Sequence, residues 1–346
     1  SFFVLLATCT FCTRVLEQLL TVHLRVDKRS TLLVGTNLVR LTVNITLNLV
    51  FLIHFRMGVA GILWGNLLTG ILAVGWLLLL FIEKRGAPTF DTGHLQPLAK
   101  FGGPLVVTGL LALGMHRGDR YLLRVFLDLD QVGLYSVAYS IGQAVNTLIL
   151  LPFTQIWRVV IFELEGEENA KQIYVTVFRY FFDFLALSLF TVSVFASPIL
   201  RVLVDEKFYP AAALIPIVCL AYLFFSLNVH FNTPALLANK TTRLILPSAA
   251  ALLVNVGLNL FLIPRMGAAG AAWASVLTFM TLSFAGLAVY RRIDRYPYAF
   301  KHSFLVLAGL IASYLVLGHW FPWSDNIGLA VGARILVSVT WALILA

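Results

Sequence analysis

Arginines set inside apolar sequence are the residues of this chain best placed to do chemistry. Arg117, Arg120 and Arg124 recur at i, i+3 and i+7, so on a helix they share one face over two turns. Three like charges on one stripe repel each other. The nearby carboxylate, Asp119, lies about 100° to 200° around the helix from them and cannot neutralise all three. Something anionic is therefore expected near such a stripe. Arg14, Arg40 and Arg179 place the same side chain on three other apolar runs, whereas Arg334 reads as structural or interfacial. At the centre of a lipid-facing helix each arginine would cost about 2.5 to 3.5 kcal/mol, so each is expected to face a wet cavity or a partner.

Other polar residues keep company with these arginines at helical spacing. Thr10, Thr13, Arg14, Glu17 and Thr21 form one stripe, and Asn37, Arg40, Asn44 and Asn48 form a second. Tyr135, Tyr139, Gln143 and Asn146 form a third, and Arg179 and Asp183 stand four residues apart. The simplest arrangement that accommodates them is a hydrated chamber. Arg14, Arg40, Arg117, Arg120 and Arg179 would bind an anionic substrate there, and Asn44, Tyr139, Gln143 and Asn146 would line it. The alternative is local neutralisation: Arg14 with Glu17, Arg179 with Asp183, and Asp119 with an arginine of another helix. No nucleophile elbow, HExxH motif or Walker loop is present, so neither an enzyme nor a metal protein is expected. Cys9, Cys12 and Cys219 all fall in apolar runs and read as packing residues, as do His116 and His230. Glu163, Glu165, Glu167 and Glu168 read as a solvated face, with contact to partner proteins as the alternative.

The elements that must carry these residues are membrane helices. Of 346 residues 60% are hydrophobic and only 12% charged, and mean hydropathy is +0.91, which excludes a water-soluble body of this size. Apolar runs of spanning length lie near residues 2–22, 31–53, 58–82, 102–126, 132–157, 173–197, 209–231, 242–263, 267–290, 301–321 and 327–346. They are continuous and not alternating, so the expected fold class is all-α, a polytopic protein with eleven transmembrane helices. The net charge of +9 resides largely in short loops, which favours membrane topology over nucleic-acid binding. Odd-numbered loops hold fourteen Lys and Arg, among them Lys28, Lys84 and Arg85, and even-numbered loops hold Arg56, Arg201, Lys207 and Arg265. The odd loops are therefore expected to face the cytoplasm.

An internal repeat organises the chain. VNITLNLVFLIHFRMGVAGILWG at 43–65 matches VNVGLNLFLIPRMGAAGAAWA at 254–274, pairing Asn44 with Asn255 and Asn48 with Asn259. After a two-residue difference in length, Arg56, Met57, Gly58, Gly61 and Trp64 pair with Arg265, Met266, Gly267, Gly270 and Trp273. Arg40 and Arg14 instead face Ala251 and Ser226, so the positive charge is not demanded by the repeated fold. The repeats share one sense across the membrane, which is the pattern of two parallel helical lobes. The expected organisation is the second half of a first lobe over 1–83 and a cytoplasmic linker over 84–101. A six-helix second lobe over 102–292 and two additional helices over 300–346 complete it. The repeat puts the start of the first lobe roughly 110 residues before Ser1, so the chain reads as a fragment of a fourteen-span protein.

DRYLLRVFLDLDQVGLYSVAYS, with Asp119, Arg120, Gly133, Tyr135 and Ala138, and ALLANKTTRLILPSAAALLVNVGLNLFLIPRMGAAGAAWA resemble the polysaccharide-repeat (O-antigen) flippases. These belong to the multidrug, oligosaccharidyl-lipid and polysaccharide exporter superfamily. The resemblance covers nearly the whole chain. It implies a protein of the bacterial inner membrane that flips an undecaprenyl-diphosphate-linked oligosaccharide to the outer leaflet for surface polysaccharide or lipopolysaccharide synthesis, alongside other assembly proteins. It also implies a cationic lumen, which maps onto Arg14, Arg40, Arg117, Arg120 and Arg179, and no cofactor beyond H+ or Na+ coupling. Glu17, Asp119 and Asp183 are the candidate ion carriers. Alternatives are a lipid II flippase, a multidrug exporter, in which carboxylates should outnumber arginines, and, from another class, a membrane glycosyltransferase or polymerase, which would need a large catalytic loop.

Overall fold

The structure is a computed structural model that describes residues 2–27, 29–85, 93, 95–323 and 327–345. All regular structure among these residues is helical, and eleven of the helical stretches are long and apolar enough to cross a membrane. The chain is a multi-pass, all-α membrane protein. It divides into two compact units, Ser1–Gly93 and His94–Ala346.

The first unit holds α1 (Phe2–Val26), α2 (Ser30–Leu49), which runs on through a π turn at Val50–His54, and α3 (Gly58–Arg85). Helix α3 packs mainly on α1. Small residues allow the close approaches of α3: a Cβ on Gly70 would stand 2.5 Å from the Thr13 hydroxyl of α1, and one on Gly65 2.5 Å from Asn48 Oδ1 of α2.

The second unit begins with α4 (Leu95–Phe126). It continues through α5 (Leu129–Val145), a π turn at Asn146–Leu150 and α6 (Leu151–Glu163). Next come α7 (Ala170–Val194), α8 (Ala196–Leu203), a 3-10 stretch Glu206–Ala213, α9 (Ile215–Phe231) and α10 (Thr233–Leu237). Helices α11 (Ile245–Met266), α12 (Ala268–Tyr290), α13 (Phe300–Trp320) and α14 (Ile327–Leu345) complete it. Helix α12 packs between α11 and α9, α4 lies along α11, and α13 and α14 both rest on α7.

Several sequence boundaries shift, among them the ends of the fifth and seventh spans, which run on to Glu163 and Leu237. Of the linker expected over 84–101, residues 86–92 and 94 lie outside the described residues, and Leu95 onward is already helix α4. Pro97 sits in the first turn, where its missing N–H is no loss, so the proline-rich stretch starts a helix and does not interrupt one. The seventh span starts at Ile215 and not at 209, because the residues before it form the 3-10 stretch around Pro210. Lys28, one of the basic loop residues, lies outside the described residues.

The repeat is visible in side-chain bonds. Asn44 Nδ2 donates to Thr69 Oγ1 at 3.3 Å, and Asn255 Nδ2 donates to Thr278 Oγ1 at 3.1 Å. Gly58 and Gly267, equivalent in the alignment, have φ of 55° and 58°, a left-handed conformation that favours glycine where each hairpin turns. The surplus of two residues falls in the π turn Val50–His54 and the irregular Phe55–Met57, where α11 instead runs regularly to Met266.

A Cβ on Gly270 would collide with the Leu262 carbonyl, which is backbone and cannot swing aside. Gly270→Ala is therefore expected to destabilise by about 1–3 kcal/mol, the usual cost of overpacking. Gly257, mid-helix with open space around it, should gain up to about 1 kcal/mol as alanine. Thermal unfolding of the two variants in detergent, each against the parent, checks both signs.

Candidate functional site

On α1, three hydroxyls of the expected stripe are satisfied by their own helix: Thr10 donates to Leu6 O at 2.8 Å, Thr13 to Thr10 O at 2.9 Å and Thr21 to Glu17 O at 2.6 Å. Glu17 is buried and accepts from Arg40 Nη1 at 2.6 Å, so the carboxylate pairs across to α2 and not with Arg14 on its own helix. Arg14 is exposed and has no carboxylate within 4.0 Å among the described residues. On α2, Asn44 donates to Asn66 Oδ1 at 2.9 Å and Asn48 donates to Asn44 Oδ1 at 3.1 Å, while Asn37 is exposed. The first unit thus brings Arg40, Glu17 and the Asn44 network into the α1–α2–α3 packing and leaves Arg14 outside it.

In the second unit, Asp119 is 0% exposed. Its carboxylate accepts from the Tyr135 hydroxyl, from Ser275 Oγ at 3.4 Å and from the Arg120 backbone N–H at 2.9 Å. Those partners come from α5, α12 and α4, so Asp119 ties three helices together. Its local-pairing alternative, an arginine of a neighbouring helix, is absent among the described residues. No ion pair holds the positive stripe of α4 among the described residues. Arg117 and Arg124 are exposed, Arg120 is half-buried, and none of the three has a carboxylate within 4.0 Å among the described residues. The Arg120 guanidinium carbon lies 4.9 Å from the Tyr139 ring centre, and its buried Nε has no hydrogen-bond partner.

Tyr139 does not line open space. It is buried, its hydroxyl lies 2.7 Å from His116 Nδ1, and its ring supports Arg120, because the α5 face that bears it turns toward α4 and α9. Farther along the same helix Gln143 is exposed, and Asn146 opens the π turn with its Oδ1 buried and unpartnered. On α7 Arg179 is exposed, with Nε 4.0 Å from Asp183. Asp183 is held more closely by His302 of α13, whose Nε2 lies 2.9 and 2.8 Å from its two oxygens.

Sequence reasoning missed Ser275, Asn66, Thr69 and His302. The first was within reach, since the repeat spacing that carries Thr69 to Thr278 also carries Asn66 to Ser275. His302 had no such signal: it sits at the start of α13, outside the repeat. Replacing His302 with alanine should leave Asp183 with only the distant Arg179 and loosen α13 from α7. A gain in backbone hydrogen exchange confined to the start of α13 is the expected readout.

A family model described as polysaccharide biosynthesis protein matches residues 2–213. No curated protein matches the chain. Among solved structures, the fold is similar to that of the lipid II flippase MurJ in an inward closed conformation, with a TM-score of 0.63 and 14% identity over 87% of this chain. It is also similar to that of a mutant of the Vibrio cholerae MATE transporter VcmN, with a TM-score of 0.64 and 15% identity over 78% of this chain. The chain spans 65% and 64% of the lengths of those two proteins. Its helices thus follow the fold of those two proteins and, since the family model covers more than half of its residues, the chain belongs to the polysaccharide biosynthesis protein family.

Proposed function

We propose that this protein moves a polyprenyl-diphosphate-linked oligosaccharide from the cytoplasmic to the outer leaflet of a bacterial inner membrane, by alternating exposure to the two faces, for surface polysaccharide synthesis. One observation carries the reading. Arg14, Arg117 and Arg120 stand in membrane-spanning helices without a carboxylate partner among the described residues, while Glu17 and Asp119 on the same helices are committed elsewhere. Unpaired guanidinium groups at that depth are costly unless water or an anion meets them. On α4 a diphosphate of about −2 charge would supply paired oxygens for more than one guanidinium at once. The polyprenyl chain would remain in the bilayer while the head group passes the α4 stripe.

The family supports polysaccharide assembly as the setting, and the arginine excess weighs against a cationic drug as the cargo. Coupling to H+ or Na+ would fall to Glu17, Asp119 or Asp183, with Asp183 and its His302 partner reaching α13. Other polysaccharide-assembly proteins are the expected partners, with Glu163 to Glu168 as a contact face. Reconstitution in liposomes tests the reading: a diphosphate-linked oligosaccharide should cross at least about tenfold faster than its monophosphate analogue. Equal rates for the two, or export of an organic cation in place of both, would contradict it.

A further inference from the structure

At the end of the second unit that the basic-residue count assigns to the outer face, a cavity of about 410 Å³ opens between α7, α8, the 3-10 stretch, α13 and α14. Ser193, Ser197, Tyr209, Tyr314, Trp323 and Arg334 give it its polar and aromatic lining. Arg334 is 4% exposed. Its Nε donates to Val194 O at 3.1 Å, its Nη1 donates to Phe321 O and Ala330 O at 2.9 Å, and its guanidinium carbon lies 4.1 Å from the Trp323 ring centre. All of these partners are uncharged. Among the described residues no carboxylate lies within 4.0 Å of Arg334 and no acidic residue lines the cavity.

A buried guanidinium without a countercharge is strongly destabilising, and carbonyls offset only part of that cost. With Nε and Nη1 engaged, Nη2 carries the donors that remain. The ring of Trp323 holds the group in place, while the Tyr209 and Tyr314 side chains line the same cavity. A buried cation, hydroxyl-bearing walls and room for more than a water match one ligand chemistry, a phosphate ester. We propose that this cavity is a phosphate-binding site, filled by the head group of an anionic phospholipid or by free phosphate, that joins α13 and α14 to α7. It is separate from the α4 arginine stripe and stands or falls independently of the translocation reading.

The test is native mass spectrometry of the purified protein with dioctanoyl phosphatidylglycerol or phosphatidylcholine, together with thermal unfolding in inorganic phosphate. Phosphatidylglycerol should be retained by the parent and by the exposed-surface control Arg201→Gln, and at least about tenfold less by Arg334→Gln. Stabilisation by inorganic phosphate, abolished in Arg334→Gln, would identify the soluble ion as a sufficient ligand. Stabilisation by the anionic lipid alone would identify the membrane as the source. If Arg334→Gln retains lipid as the parent does, the proposal is overturned. Should Arg334→Gln fail to fold, the parent alone decides. Phosphatidylglycerol but not phosphatidylcholine must slow hydrogen exchange at 193–197 and 318–323, and equal protection by both lipids, or by neither, overturns the site.

Discussion

Cells carrying Arg117→Gln together with Arg120→Gln are expected to lose surface polysaccharide by at least about tenfold while the protein remains in the membrane at its normal level. Glutamine keeps much of the length and some hydrogen bonding but removes the charge, so the change isolates electrostatics. Neither arginine has a carboxylate partner to orphan among the described residues, which is why the fold should survive. Lysine at both positions should restore transport partially, because a point charge attracts phosphate but lacks the paired donors of a guanidinium. Arg124→Gln should cost less, since Arg124 lies two residues from the end of α4 and can reach the interface. Polysaccharide gels and membrane immunoblots from the same strain measure both quantities, and normal polysaccharide in the double variant would remove the α4 stripe from the transport path.

Asp119→Ala should be the most destabilising substitution in the second unit outside its apolar core. It takes the carboxylate from the buried Tyr135 hydroxyl, which keeps only Ser275 Oγ at 3.3 Å, removes an acceptor from Ser275 and leaves a small cavity, a combined cost of about 2–4 kcal/mol. Asp119→Asn keeps the shape and one acceptor and should cost distinctly less. If the unmet hydroxyl is the cause, pairing Asp119→Leu with Tyr135→Phe should recover much of the loss, since both partners then become apolar. Thermal unfolding of these variants in detergent provides the comparison. An unchanged midpoint for Asp119→Ala would mean that Asp119 does not tie α4 to α5 and α12.

Much of the fold was legible because lipid simplifies the code. A helix that must satisfy its own backbone in hydrocarbon announces itself by length and apolarity, so most spans were read to within about three residues, apart from the start of α4, the end of the fifth span at Glu163, and both ends of the seventh, Ile215 and Leu237. The starts of α4 and α9 both involve proline beside polar sequence, where a local breaker signal competes with helix geometry at the membrane edge. The repeat exposed the Asn44 and Asn255 equivalence directly, and the structure adds the reason: each asparagine bonds the equivalent threonine of the following helix. The site was legible only by face. Helical spacing places Arg117, Arg120 and Arg124 together, but it does not reveal which neighbour a side chain meets. Glu17 therefore pairs with Arg40 across a helix boundary, Tyr139 turns inward onto His116 and Arg120, and Asp183 finds His302 from beyond the repeat. Those are tertiary choices, and periodicity carries no term for them.

Transport by this route requires that the α4 arginines face water and not acyl chains. Arg117→Cys, made with Cys9, Cys12 and Cys219 changed to serine, places a single thiol at that position. A membrane-impermeant anionic thiol reagent should label it in inside-out vesicles, and a polyprenyl-diphosphate sugar should slow the labelling while its monophosphate analogue does so far less. A thiol that stays unlabelled by the impermeant reagent yet reacts with a lipid-soluble maleimide would place Arg117 against the bilayer and contradict the account.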